Sequence, residues 1–187
     1  MKIIFIITLL IIHLSCGNRI DKKKEVQIPV ENGVMKTYET PVKNSPQVVR
    51  KISKEEKDKI DIDAKNCIVF LKYYLSLNAE PTLTDLDQAF ILWQKNKEKT
   101  YTAQQVQQML GSYFGNYCVN TLNMEWVFIE DEYGKDFAVQ SKEFDVMTFP
   151  FSSIQKRIDD DENDFINGLY LLIKDKLSDD KSKRKVK

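Results

Sequence analysis

Apolar residues that recur at three- and four-residue spacing predict three helices between residues 53 and 117. The first should begin at Ser53, which forms a capping-box pattern with Glu56. Pro81 interrupts the spacing, Thr84 can cap a second helix, and Thr102 repeats the capping-box pattern before the third. The stripes expected to be buried are Ile60, Ala64, Cys67, Ile68, Leu71 and Leu75 in the first helix, Leu86, Ala89, Phe90 and Trp93 in the second, and Val106, Met109, Leu110, Tyr113, Phe114 and Tyr117 in the third.

After residue 122 the pattern changes to short apolar runs that are typical of strands. Residues 126–129 and 137–139 flank a polar turn in which Gly134 can adopt a positive φ, so they predict a hairpin. Residues 144–149 predict a third strand that stops at Pro150, because proline lacks an amide donor. A last helix is predicted over residues 164–176, with Phe165, Leu169, Leu172 and Ile173 facing inward. This order predicts an α+β fold, with long N-terminal helices packed on a small antiparallel meander and a C-terminal helix.

The N-terminus has the pattern of a secretory signal peptide, since Met1 and Lys2 precede an apolar run at residues 3–12. The run is too short for a membrane-spanning helix, which needs about 20 apolar residues. It ends in HLSCG at residues 13–17, which resembles the lipobox of bacterial lipoproteins, although His13 stands where that pattern usually has leucine. The resemblance implies removal of residues 1–15, acylation of Cys16 with chains such as palmitate, and a place on a membrane surface of the bacterial envelope, at the outer membrane or facing the periplasm. The alternative is an ordinary secretion signal in which Cys16 is incidental.

The segment between the signal and the first helix is polar and contains three prolines. We therefore expect residues 16–52 to form a lipidated cysteine and a flexible tether. A hairpin around residues 32 and 33 (Asn-Gly), added to the sheet as an edge strand, is an alternative for part of it. A single domain should follow over residues 53–178, and the basic residues 179–187 predict a disordered tail.

Three blocks of the sequence resemble an uncharacterised bacterial domain family, DUF3806. They are LGSYFGNY at 110–117, MEWVFIEDEYGKD at 124–136 and FPFSSIQKRI at 149–158. The resemblance covers about residues 89–177 and implies a helix followed by a hairpin. It implies no established activity and supplies no catalytic or ligand-binding residues.

The blocks also have a physical interpretation. Gly111 and Gly115 lie four residues apart on one helical face, and glycine inside a helix costs about 1 kcal/mol relative to alanine. We therefore expect another backbone to pass close to them. Trp126 is expected to anchor the core, because aromatic residues dominate core burial.

Charged residues of the blocks form a candidate interaction surface. Asp131, Glu132 and Asp136 are expected to shape the hairpin turn, and cation binding by this turn is the alternative. Lys156 and Arg157 are expected to pair with the acidic turn, or alternatively to hold an anion.

The composition argues against several kinds of chemistry. Lys plus Arg and Asp plus Glu both total 28, so no net field favours nucleic acid. His13 is the one histidine and falls in the segment expected to be removed, which argues against histidine-based hydrolysis and histidine-ligated zinc. Cys67 and Cys118 lie on apolar stripes without a C-x-x-C spacing, so they are either packed thiols or a disulfide pair. We expect neither a metal nor a cofactor.

Two functions fit these observations. The first is a non-catalytic module on the envelope that binds a protein partner, as an accessory subunit or a toxin-neutralising immunity factor. The second is a carboxylate-dependent hydrolase of a glycan or of peptidoglycan that would use Glu130, Asp131 or Asp136.

Overall fold

The computed structural model describes residues 24–30, 33–39, 47–131, 134–160 and 165–185. The predicted signal peptide, Cys16 and Glu132 lie outside these ranges. The elements in chain order are β1 (Lys24–Val30), β2 (Gly33–Glu39), β3 (Val48–Lys51), α1 (Lys54–Leu75), α2 (Leu83–Lys95), α3 (Ala103–Leu122), β4 (Met124–Asp131), β5 (Gly134–Ser141), β6 (Met147–Thr148), α4 (Pro150–Asp159) and α5 (Ile166–Lys185). The order of three long helices, an antiparallel meander and C-terminal helices confirms the predicted α+β class.

The first three helices begin with side-chain caps. Ser53 and Thr102 form the predicted capping boxes of α1 and α3. Thr82, and not the predicted Thr84, caps α2, because Asp85 stands three residues after Thr82 and completes a capping box with it. The apolar stripes of these helices form the main core, which includes Phe70, Leu71, Leu86, Phe90, Leu110 and Phe114.

The larger sheet has the order β3-β4-β5-β6, with each neighbouring pair antiparallel. Its edge strand β3 comes from the segment that was predicted to be a flexible tether. The predicted hairpin around residues 32 and 33 is present as β1 and β2, but these strands form a separate two-stranded sheet. The added edge is therefore Val48–Lys51, which pairs Val49 with Ile129.

Arg50 attaches β3 to the helical layer. Its guanidinium donates two hydrogen bonds to the Glu56 carboxylate, at 2.8 and 2.7 Å, and lies 4.1 Å from the centre of the Phe128 ring. The hydrogen bonds from Arg50, together with the Ser53 amide, lower the pKa of Glu56 to about 2. One side chain thus joins β3, β4 and the first turn of α1.

The C-terminal part differs from the prediction in two places. The third strand is limited to Met147–Thr148, and Pro150 begins helix α4, a helix that the pattern did not predict. Proline suits the first position of a helix because the amide it lacks would have no intrahelical partner there. Helix α5 extends through Lys185, so residues 179–185 are helical where a disordered tail was predicted.

Alternating acidic and basic residues support the longer α5, as in the ion pair of Lys183 with Asp180 at 3.8 Å. Leu172 is 36% exposed, contrary to its predicted inward position, whereas Ile173 is buried. None of the described helices combines the length and the apolar character that crossing a membrane requires.

Candidate functional site

The three sequence blocks meet at one place in the fold, which we call the block joint. It consists of Gly111, Gly115 and Asn116 on α3, Trp126 on β4 and Phe151 on α4. Each block therefore contributes to the joint, although the blocks lie apart in the sequence.

Trp126 is the centre of the block joint and is 4% exposed. Its ring stacks on Phe151 with the ring centroids 5.6 Å apart and the planes at 29°. Its indole Nε1 donates a hydrogen bond to Asn116 Oδ1 at 2.9 Å. Because the stack and the hydrogen bond act on the same ring, the position of the indole is fixed on two sides.

The two glycines make room for these aromatic rings. A Cβ at Gly115 would lie 2.0 Å from Trp126 Cζ2, and a Cβ at Gly111 would lie 2.6 Å from Phe151 Cδ1. The backbone approach expected from the sequence occurs at Gly111, where the Phe151 Cα would be 3.3 Å away. At Gly115 the close neighbour is a side chain, which corrects the expectation of a backbone crossing at both positions.

Asn116 connects the block joint to α1. Its Nδ2 donates to Asp61 Oδ1 at 2.9 Å, and the same oxygen accepts a hydrogen bond from Lys57 Nζ. Burial alone would raise the pKa of Asp61, but the hydrogen bonds from Lys57 and Asn116 hold it below its ordinary value. A continuous polar chain therefore joins α1, α3 and the indole on β4.

A second structural feature, which the sequence pattern does not predict, joins α2 to α5. Asp87 is 2% exposed and accepts hydrogen bonds from the backbone amides of Phe165, Ile166 and Asn167, at 2.9, 2.7 and 3.0 Å. A helix has unpaired amide donors in its first turn, so Asp87 acts as the N-terminal cap of α5 from another helix. The sequence signal is an acidic residue beside Leu86, within the buried stripe of α2.

The acidic turn is tied to the rest of the domain. Asp136 accepts a hydrogen bond from the Ser152 hydroxyl at 2.5 Å and from the Phe137 amide at 2.7 Å. Burial raises the pKa of Asp136. Asp131 accepts a 3.5 Å hydrogen bond from Gln47, and Gly134 has a φ of 129°. Asp136 therefore connects β5 to the first turn of α4.

The strand register separates the carboxylates that a hydrolase would need. Glu130 faces Lys135 across the hairpin and forms an ion pair with it at 3.2 Å. Asp136 lies opposite Ile129, and consecutive strand residues point to opposite faces. Glu130 and Asp136 are therefore on different faces of the sheet, whereas Asp131 and Asp136 share a face as diagonal neighbours.

Arg157 is placed differently from the expected surface pair. It is 5% exposed, and its guanidinium lies 5.0 Å from the centre of the Phe165 ring. Its backbone oxygen accepts a hydrogen bond from Gln94 at 3.3 Å. Arg157 thus packs with the start of α5, and Ser152 makes the contact of α4 with Asp136. Lys156 is exposed.

Cys67 and Cys118 are both free thiols in the core, so the disulfide alternative is wrong. Each lies on the buried stripe of its helix, where burial raises the pKa of Cys67 and raises that of Cys118 to about 12. A buried thiol with a raised pKa is a poor nucleophile. Within the described ranges, no three His, Cys, Asp or Glu side chains are grouped so that they could hold a metal ion.

A cleft of about 310 Å³ lies where the ends of α3 and β5 approach α5. Its lining includes Asn123, Glu143, Phe144 and Lys181. Asn123 donates a hydrogen bond to the Glu143 carboxylate at 3.0 Å, and Arg184 lies 4.7 Å from the centre of the Phe144 ring. The cleft thus carries groups of both charges, and contacts between its own residues hold Glu143 and Phe144 in place.

Residues 87–170 match DUF3806, a domain of unknown function. The matched segment contains the block joint and both sides of the Asp87 cap, and it supports the DUF3806 resemblance found in the sequence. No curated protein matches the chain.

A solved protein from Bacteroides thetaiotaomicron VPI-5482 has a similar fold, with a TM-score of 0.53 and 12% sequence identity. The similarity covers 73% of this chain and 50% of the other, so the chain spans about half the length of that protein. At this identity the likeness concerns the fold alone.

Proposed function

We propose that this chain is a lipid-anchored protein of the bacterial cell envelope whose DUF3806-like domain binds another protein without catalysing a reaction. The observation that carries the proposal is the use of the sequence blocks in internal packing. The rings of Trp126 and Phe151 stack on each other and occupy the space beside the two glycines. Asn116 is hydrogen-bonded to Asp61 and to the indole. These residues therefore maintain the fold, and binding of a partner protein would involve other residues, which are exposed on the surface.

The surface offers apolar area for a partner. The exposed side chains of helix α1 include Ile62 at 57%, Val69 at 61% and Tyr73 at 56%. Ile62, Val69 and Tyr73 follow one another along the outer side of α1. Apolar residues grouped on a surface are typical of protein-binding sites. A role as an accessory subunit or as an immunity factor would use such a surface.

The hydrolase alternative has less support. Glu130 is engaged with Lys135 and lies on the opposite face from Asp136, so these two acids cannot flank one glycosidic bond. Asp131 and Asp136 share a face, but Asp136 is engaged with Ser152 and with a backbone amide. The acids therefore serve the hairpin and α4.

Replacing Cys16 by serine tests the anchor and the partner together. We expect Cys16→Ser to abolish lipid labelling and to release the protein into the soluble fraction, because acyl chains supply the membrane affinity. The measurement is membrane fractionation combined with in-cell crosslinking and recovery of a tagged chain. The wild-type chain should recover a partner protein from the envelope, and the Cys16→Ser chain should lose it.

Cys67→Ala is the matched control, since it removes a buried thiol and leaves Cys16 in place. It should keep both the lipid label and the membrane fraction. Unchanged fractionation of Cys16→Ser would contradict the anchor. Recovery of the tagged chain without any other protein would contradict the binding role.

A further inference from the structure

We propose that the outer edge of β3 pairs antiparallel with β3 of a second copy of this chain, which joins two four-stranded sheets into one. This contact is additional to the partner protein proposed above and does not depend on it. Within the described part of the chain, β3 pairs with β4 on one side and has no strand partner on the other. A free edge of this kind presents backbone donors and acceptors to another strand.

A two-fold axis perpendicular to the sheet fixes the register of such a contact. Centred on Val49, it places Val49 opposite Val49 of the second copy and Gln47 opposite Lys51. Residues that share a face of the sheet then stay on the same face across the axis, because the side-chain period is two. The contact is thus compatible with the pleat of both sheets.

Charged residues beside the two ends of β3, Lys51 at one end and Asp131 of β4 at the other, are complementary under this symmetry. Lys51 is at one end, has a side chain that is 86% exposed and forms a 4.0 Å ion pair with Glu125. At the other end Gln47 donates a hydrogen bond to Asp131. Pairing would bring each Lys51 to within about two strand spacings, roughly 10 Å between Cα atoms, of Asp131 in the other copy. Two long-range attractions between Lys51 of one copy and Asp131 of the other would form, one on each side of the axis.

The apolar positions are also continuous across the axis. Val49 is 44% exposed and pairs with Ile129, which is 2% exposed. Ile129 belongs to a small buried cluster with Val127 and Ala138 on that face of the sheet. Pairing of the two Val49 residues would cover their exposed surface and extend the cluster into the second copy. The self-complementary charges favour a second copy over an unrelated extended peptide.

Disulfide trapping in the full chain, in the membranes of the cells that make it, tests this contact. Directly opposed residues of antiparallel strands have Cα atoms about 4.5 to 5.5 Å apart, which a disulfide can bridge. Val49→Cys should therefore give a covalent dimer on mild oxidation. Val69→Cys is the matched control, because Val69 is also an exposed valine but belongs to helix α1 and not to β3.

The charge pattern supplies a second measurement. Adding Lys51→Glu to Val49→Cys should weaken the dimer band by roughly tenfold, because two attractive contacts become repulsive. Further addition of Asp131→Lys should restore it. A Val49→Cys dimer band no stronger than that of Val69→Cys, a crosslink to a different protein alone, or a band insensitive to Lys51→Glu would overturn the proposal. The melting temperature of each variant shows that it is folded.

Discussion

Replacement of Trp126 by alanine should lower the free energy of unfolding by about 3 to 5 kcal/mol, as expected for a large buried aromatic residue. The indole is 4% exposed, stacks on Phe151 and donates a hydrogen bond to Asn116. Its removal leaves a cavity between α3 and α4 and leaves the Asn116 oxygen without its donor. The measurement is urea denaturation of the parent and the variant.

Trp93→Phe is a useful comparison for the Trp126 variant. Trp93 is also buried, but its indole donates to the backbone oxygen of Tyr101 outside the block joint, and phenylalanine fills most of its volume. Trp93→Phe should cost clearly less than Trp126→Ala. An unfolding free energy of Trp126→Ala within error of the parent would contradict the burial of the indole and would indicate a role for this residue on the surface.

Replacement of Asp87 by alanine should cost about 2 to 4 kcal/mol, because three amides in the first turn of α5 lose their acceptor. These amides belong to Phe165, Ile166 and Asn167. Asp87→Asn keeps one of the two acceptor oxygens and should be affected less. Hydrogen exchange should show faster exchange at the start of α5 in Asp87→Ala.

The order of these two Asp87 variants is the informative result. Equal stability of Asp87→Ala and the parent would contradict the capping role. Equal losses in Asp87→Ala and Asp87→Asn would mean that the negative charge, and not the number of accepted hydrogen bonds, supplies the stabilisation.

Local signals explain which elements could be predicted from the sequence. Ser53 and Thr102 cap their helices through residues three positions away, so a few neighbouring residues determine where α1 and α3 begin. The hairpin of β4 and β5 is likewise local, with its turn at Gly134. Patterns of this range can be recognised without knowledge of the rest of the fold.

Distant partners explain what could not be predicted. Val48–Lys51 is a short, exposed strand whose pairing partner, Val127–Glu130, lies far along the chain. Asp87 caps a helix that begins 79 residues later. Neither segment has a periodic pattern that identifies its partner, because the contact exists only after the helices have packed.

The start of α4 shows how one residue can support two interpretations. From the sequence alone, Pro150 is compatible with the end of a strand, but proline also suits the first position of a helix, which is where it lies in α4. The signal for the helix was the spacing of Ile154 and Ile158, four residues apart, which follows a helical face. In the candidate site, the glycine spacing predicted a close approach but did not specify that an indole ring occupies the space beside Gly115.

A double-mutant cycle of Gly115→Ala and Trp126→Ala tests whether the three sequence blocks pack together in the block joint. In the parent, Gly115→Ala should destabilise, because the overpacking cost of about 1 to 3 kcal/mol exceeds the helix-propensity gain of about 1 kcal/mol. In the Trp126→Ala background the ring is absent, so the same substitution should stabilise the protein by about 1 kcal/mol. If Gly115→Ala changed the free energy of unfolding with the same sign and size in both backgrounds, the packing of Gly115 against Trp126 in the block joint would be contradicted.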